Sequence, residues 1–416
     1  MKHDINIDDL RAPEMAEAVE KCVHCGFCLA ACPTYKLLGE EMDSPRGRIY
    51  LMKTALEGRI DPSDAQPYID RCLGCMACVP ACPSEVAYGD LLVGYRALQE
   101  SERERPPLDA VARKMMIETL PHPRRFRLAA RAGKLGKWLA PALPPAFSAM
   151  LNLLPDDLPP AQPLPDVLMA QGERRAVVAL LPGCAQQVLA PGINFAAAHL
   201  LAANGVEVRS PRAAGCCGSI LLHIGAEHEA QTLARRNFAA IPDDVDAIIT
   251  TAAGCGSGIK DYPLLFKNQQ DAEAAQSFAA KAMDFSAYLA GIGLRAPMRL
   301  EAATRVVYQD ACHLLHAQGY GAEPRALLRE VGNLQLVEIA DAGMCCGSAG
   351  TYNIDQPEIA RQLGARKAES ILAAQPDVLV SGNIGCITQI RQQLANQADA
   401  PPVLHIAELL WSASQP

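Results

Sequence analysis

Residues 22–33 read Cys22-Val23-His24-Cys25-Gly26-Phe27-Cys28-Leu29-Ala30-Ala31-Cys32-Pro33, and residues 72–83 read Cys72-Leu73-Gly74-Cys75-Met76-Ala77-Cys78-Val79-Pro80-Ala81-Cys82-Pro83. Both follow Cys-x2-Cys-x2-Cys-x3-Cys-Pro, the spacing that holds two [4Fe–4S] clusters in one chain. Three cysteines two residues apart let a tight coil present their sulfurs to three irons of one cubane. The fourth turns away at the proline and reaches the other cluster. The expected ligand sets are Cys22, Cys25, Cys28 and Cys82 for the first cluster, and Cys72, Cys75, Cys78 and Cys32 for the second. Gly26 and Gly74 suit a backbone that passes close to a cluster. Zinc also takes paired Cys-x2-Cys sites, but it has no use for a three-cysteine comb ending in x3-Cys-Pro that occurs twice.

Between the combs, Ser44-Pro45-Arg46-Gly47-Arg48 leads into a helical run over Ile49–Glu57, with Pro45 placed near its start. A helical spacer points to an α-helical dicluster ferredoxin domain rather than the compact hairpin type. Arg46 and Arg48 are candidates to sit near a cluster and raise its potential, or to serve a docking surface. His24 lies inside the first comb and is a candidate to tune that cluster by hydrogen bonding.

The chain has 416 residues, half of them apolar, with 16 cysteines and a net charge of −8. The negative balance gives no footprint for nucleic acid. Residues 1–10 carry no apolar core of signal-peptide type, and the longest apolar runs fall short of the roughly 18–20 residues that cross a bilayer. A cytoplasmic location and reduced thiols are therefore expected. Eight cysteines fall within 22–82 and eight within 184–386, separated by a proline-dense stretch. That division predicts four parts: 1–105, a dicluster domain; 106–170, a proline-rich helical connector and linker; and two cysteine-rich units, 171–296 and 297–416.

The last two parts repeat one another. Cys184, the Cys216-Cys217-Gly218 triplet and Cys255 recur as Cys312, Cys345-Cys346-Gly347 and Cys386 at nearly constant spacing. β-rich runs precede the first cysteine of each copy (Ala176–Leu181, Arg305–Tyr308) and the last (Ala247–Thr250, Val378–Val380), with helical stretches such as 194–204 and 358–373 between them. The fold class expected is mainly α plus α/β, an α-helical dicluster domain followed by a duplicated α/β pair. Four thiolates in each copy suffice for a third and a fourth site, holding a further iron–sulfur cluster or zinc. His313, directly after Cys312, is a second tuning candidate.

The chain resembles the iron–sulfur subunits of bacterial glycolate oxidase (glycolate dehydrogenase), within the wider family that joins a dicluster ferredoxin domain to two cysteine-rich "CCG" domains. The resemblance rests on Cys22 to Tyr35, on Ser44-Pro-Arg-Gly-Arg-Ile-Tyr-Leu51, on Gly215-Cys-Cys-Gly218, on Cys345-Cys-Gly-Ser-Ala-Gly-Thr-Tyr352 and on Asn383-Ile-Gly-Cys386. It implies an electron-transfer subunit that takes electrons from partner FAD subunits oxidising glycolate to glyoxylate and passes them to a membrane quinone. Relatives acting on glycerol-3-phosphate or lactate would use the same wire. In the related heterodisulfide reductase subunit the repeat ends in Cys-x2-Cys. Here Gly258 and Gln389 stand at the last position, which argues against disulfide chemistry.

No flavin is expected on this chain. Gly291-Ile-Gly293 has the form of a dinucleotide fingerprint but follows a helical run over 285–290, so it reads as a helix stop. No residue of the chain is expected to be catalytic on the substrate carbon. Over 124–139, Leu128, Ala132, Leu135 and Leu139 repeat at helical spacing beside Arg124, Arg127, Arg131 and Lys134. Such a helix either packs on protein with a solvated basic face or rests at the cytoplasmic face of an anionic membrane.

Overall fold

Proline sets most helix starts in the first third of the chain. Helices Pro33–Leu38, Pro45–Leu56, Pro62–Asp70, Pro107–Thr119, Pro123–Gly136 and Pro145–Asn152 all begin on one, where the missing N–H is no loss and φ is already helical. Ser44 caps the second of them by accepting from the Gly47 N–H at 2.9 Å. The computed structural model describes residues 1–5, 7, 9, 11–395, 397 and 399–415. Among the described residues no helix is long and apolar enough to cross a membrane.

The dicluster part is helical. Helix Ala12–Lys21 packs on Tyr88–Glu102, and both close over Pro45–Leu56 through Met15, Val19, Ile49, Met52, Leu91 and Tyr95. The two combs lie on the irregular backbone between these helices. The connector continues as the three helices from Pro107 to Asn152 with a 3₁₀ stretch, Lys137–Ala142, and then runs without helix or strand to residue 166.

Two sheets follow. Strands β1 (Val167–Leu168), β2 (Ala176–Leu181), β3 (Val206–Arg209), β4 (Ala247–Thr250) and β5 (Ala282–Asp284) form the first, in the order β1-β3-β2-β4-β5. Only β1 runs antiparallel. Strands β6 (Met298–Gln309), β7 (Val331–Val337), β8 (Val378–Ser381) and β9 (Val403–His405) form the second, all parallel, in the order β7-β6-β8-β9. Setting β1 aside, the two orders are identical, so the repeat in the cysteines is also a repeat in topology. The molecule is thus α plus α/β, with an α-helical dicluster part and a duplicated α/β pair.

The halves join through equivalent helices. Gly192–Ala203 packs on Ile406–Ala413, and Phe285–Ile292 packs on Ala322–Arg329. One continuous apolar core therefore runs from Val178, Leu180 and Ile249 to Val306, Val380 and Leu410. Helix Phe285–Ile292 ends at Gly293 with φ 72°, so the Gly-x-Gly there is a helix stop with no strand before it.

Candidate metal centres

The combs fold into two adjoining pockets. One is lined by Cys22, Cys25, Cys28 and Cys82 together with Cys78; the other by Cys32, Cys72, Cys75 and Cys78. The chain thus brings Cys82 back to the first comb and Cys32 across to the second. The first pocket is near the surface: Cys25 is exposed, and Val23 and Phe27 beside it are 68% and 66% exposed. Around the second pocket Cys32, Cys72, Cys75 and Cys78 are all buried. Burial pushes the Cys28 thiol up to about 11 and holds Cys75 and Cys78 well above the ordinary range, so these thiols ionise only when a cation takes the proton's place. Cys72 moves down: burial alone would raise it, but Arg48 and Arg96 outweigh that.

Arg48 is a buried cation between the combs. Its guanidinium donates to the Tyr68 carbonyl at 2.8 Å, to Thr34 Oγ1 at 3.0 Å and to Asp43 Oδ1 at 3.1 Å, and it stands 3.8 Å from Cys32 Sγ. Asp43 is held in turn by Arg71 at 2.8 Å. Tyr88 brings a hydroxyl to 3.4 Å from Cys72 Sγ, a contact that nothing in the sequence pattern marked. Arg46 does something different: it pairs with Glu41 at 2.7 Å and donates to the His24 carbonyl at 3.1 Å, bracing the first comb from its rim. His24 has φ 58° and its ring contacts Met1 Sδ and stands edge-on to Tyr50. It lines the first pocket.

The other eight cysteines sit where strand topology opens a crevice. β2 lies between β3 and β4, and β6 between β7 and β8; the crevice of each half lies beyond the carboxyl ends of the strands at that switch. Cys184 follows β2 and Cys255 follows β4; Cys312 follows β6 and Cys386 follows β8. The Cys-Cys-Gly triplets close the crevices. Gly218 and Gly347 have φ 79° and 90°, and a Cβ on either would meet the carbonyl oxygen of Ala230 or Ala360, at 2.9 Å and 2.6 Å. Glycine is therefore demanded twice over, by conformation and by the helix pressed against it.

Within each half the thiols form a contact row, Cys184–Cys216–Cys217–Cys255 and Cys312–Cys345–Cys346–Cys386, with Cys312 and Cys345 sulfurs 3.8 Å apart. Cys217 is held well below the ordinary thiol range by S–H donation from Cys216 and Cys255, and Cys346 likewise by Cys345 and Cys386. Among the described residues no three such side chains converge as ligands of a single ion.

One buried position sets the two triplets apart. Asn237 lies seven residues beyond Ala230 and braces the first triplet, accepting from the Gly215 N–H and donating to the Cys216 carbonyl, both at 2.9 Å. Lys367 holds the same place beyond Ala360, donating to the Asp341 and Ala342 carbonyls at 2.7 and 3.1 Å and facing the second thiol row. The second site therefore carries a buried cation that the first lacks.

Among the contacts between the dicluster part and the duplicated pair, one brings thiols of the two together. Cys75 packs with Cys312 and Cys345. His313 bridges the same junction: its Nε2 meets the Gly74 carbonyl at 2.9 Å and its Nδ1 meets Ser257 Oγ. A carbonyl only accepts, so Nε2 carries the proton and Nδ1 accepts from the serine. The histidine after Cys312 thus pins the second comb to the first cysteine-rich half.

Helix Pro123–Gly136 turns its apolar stripe outward. Leu128 and Leu135 are 71% and 82% exposed, and Trp138 beyond them 78%. Phe126 and Ala130 are the residues that pack inward, so the stripe found in the sequence is not the face that docks on this chain.

Residues 18–86 match the 4Fe-4S dicluster domain family, and residues 178–260 and 306–391 match the cysteine-rich domain family. The chain is 37% identical over 385 residues to the glycolate oxidase iron-sulfur subunit of Escherichia coli, covering 91% of each. It is 35% identical over 416 residues to the probable glycolate oxidase iron-sulfur subunit of Bacillus subtilis, covering 94% of this chain and 93% of that one. Lactate utilization protein A of an Exiguobacterium species is 28% identical over 56% of this chain and 96% of its own.

Proposed function

Because the chain belongs to the glycolate oxidase iron–sulfur subunit family, we propose that it is the electron-carrying subunit of a glycolate-oxidising complex. It takes electrons from partner FAD subunits and delivers them to a membrane quinone. Cys22, Cys25, Cys28 and Cys82 hold one [4Fe–4S] cluster, and Cys72, Cys75, Cys78 and Cys32 the other. At least one of the two cysteine-rich rows holds a further cluster. Such clusters supply one-electron steps, whereas carbon oxidation needs a hydride or two-electron acceptor. The protein's own contribution is to hold the thiolates, exclude water from the inner pocket and set the surrounding charge.

The observation that carries this reading is the order of exposure. The first pocket has a thiol at the surface flanked by exposed apolar residues, the second is buried, and a ligand of the second packs against the second cysteine-rich row. Electrons entering beside Cys25 have a continuous line of thiols to Cys312. The outward stripe on Pro123–Gly136, with its arginines, supports a peripheral seat at the cytoplasmic face of the membrane. The test is to purify the chain from its own cells with whatever accompanies it and add glycolate. Bleaching of the cluster absorption in the complex, and none in the isolated chain, is expected. Glycolate reducing the isolated chain would overturn the division of labour, and bleaching by lactate or glycerol-3-phosphate alone would reassign the substrate.

A further inference from the structure

The connector helices roof a cavity of about 560 Å³ whose floor is made by the thiols of the first row and by Cys312. That size suits a small organic molecule. Its outer wall is built from Met116, Phe126, Phe147, Met150 and Leu153. A metal centre asks for thiolates and backbone donors on its ligand side and gives no reason for an opposite wall of methionine, phenylalanine and leucine. Leu143 both lines the cavity and is partly exposed, so the mouth opens among the outward apolar residues of the connector. Two imidazoles line it, the His223 ring lying 5.0 Å from the His313 ring. The His313 nitrogens are already engaged by Gly74 and Ser257, so an apolar slot with the His223 imidazole in its lining and thiols beneath it fits a flat, apolar ring with a polar oxygen at its tip.

We propose that this cavity binds the ring of a lipid-soluble quinone, entered past Leu143 and hydrogen-bonded at one carbonyl oxygen by His223. The proposal rests on the electron-carrying role above and names where the acceptor sits. One quinone takes two electrons, delivered singly and released on the partner flavoprotein by oxidation of one hydroxy acid to the oxo acid. It takes two protons from water and leaves as the quinol. The line of thiols through Cys75 reaches Cys312, which is itself cavity wall, so the acceptor stands where the line ends.

The test uses the whole complex and an azido benzoquinone with a decyl tail. After illumination, label is expected on cavity-lining peptides, 115–154, 184–189, 216–223, 252–255, 311–313, 348–354 or 383–388, and is displaced by excess decyl benzoquinone; label confined to other peptides or to partner subunits overturns the proposal. Ala129→Phe, at a cavity-lining position, and His223→Leu are each expected to raise the KM for decyl benzoquinone at least about tenfold, with the electron paramagnetic resonance signals of the two comb clusters intact. Unchanged KM in both overturns it. Should neither variant fold, the labelling of the unaltered complex decides. Quinone reduction without cavity label overturns this site and leaves the acceptor reading standing. Cavity label without quinone reduction overturns the acceptor reading and leaves the binding site standing.

Discussion

Replacing Arg48 by glutamine removes a buried cation in contact with a ligand of the second comb cluster while keeping a donor for Thr34. Its guanidinium lies 3.8 Å from Cys32 Sγ, which places the charge on the order of 6 Å from a cluster centre. At that distance and an effective dielectric near 20 it stabilises one added electron by about 3 kcal/mol. At about 59 mV per tenfold change in a one-electron couple, that is roughly 120 mV. Asp43 stays behind, held by Arg71 alone, and its charge then weighs more on the cluster, while water entering the vacated space screens part of the loss. A fall of about 50–120 mV in the midpoint of that cluster is expected, with the Cys25 cluster shifted far less because Arg48 does not line its pocket. The assay is a potentiometric titration followed by electron paramagnetic resonance. Breaking a buried ion pair also costs about 3 kcal/mol in stability, so Arg48→Lys, which keeps the charge, serves as the control and should hold the potential within about 30 mV. A folded Arg48→Gln protein whose second midpoint stays within about 20 mV of the original would refute the placement of this arginine at a cluster.

Gly218→Ala and Gly347→Ala should each cost at least about 2 kcal/mol, from the left-handed φ and from a Cβ driven into a backbone oxygen. Iron content should fall selectively in the half that carries the change, read as iron per chain before and after; full retention would contradict the close approach of Ala230 and Ala360. His405 is buried and caps helix Ile406–Ala413 through Ala407 N–H at 3.1 Å. Burial lowers its pKa to about 4, with the Thr251 and Gly382 carbonyls pulling weakly the other way. The unfolded chain binds that proton near pH 6.5 and the folded chain only near 4, so the stability this group contributes is complete above pH 6.5 and is lost as pH falls through that window, by about 3 kcal/mol in all. His405→Asn, which keeps a cap, should flatten the acid limb of stability against pH, and a nuclear magnetic resonance titration placing His405 near 6.5 would contradict its burial. Leu135→Glu with Trp138→Glu should abolish sedimentation with anionic vesicles while leaving cluster absorption intact, and undiminished sedimentation would remove the connector from the membrane.

What the sequence made legible was what covalent spacing dictates. The two combs announce their clusters because the coil that joins three thiols is only seven residues long, and the proline after the fourth tells it to leave. The repeat from Cys184 to Cys255 and from Cys312 to Cys386 announced a duplicated topology, since the strands before each cysteine are apolar runs. The meeting of Cys75 with Cys312 was not legible, nor was the bond from His313 to Gly74, because residues more than two hundred positions apart meet only through the packing of whole domains. Lys367 was hidden for a related reason: it sits in the middle of an ordinary helix, and only the pairing of Ala360 with Gly347 shows which way that helix faces. The stripe on Pro123–Gly136 was visible, but periodicity does not say which side of a helix the protein covers. Phe126 and Ala130 settle it from the other face.

The central claim is that the eight comb thiols hold two cubanes, to which the cysteine-rich rows add. Iron and acid-labile sulfide analysis of the anaerobically purified chain, paired with electron paramagnetic resonance after reduction, tests it most directly. The account predicts at least about eight irons and eight sulfides per chain and two reducible [4Fe–4S] signals, of which the signal of the Cys22–Cys28 comb is lost in Cys82→Ser. Zinc in place of iron, or one cubane where two are expected, would contradict it.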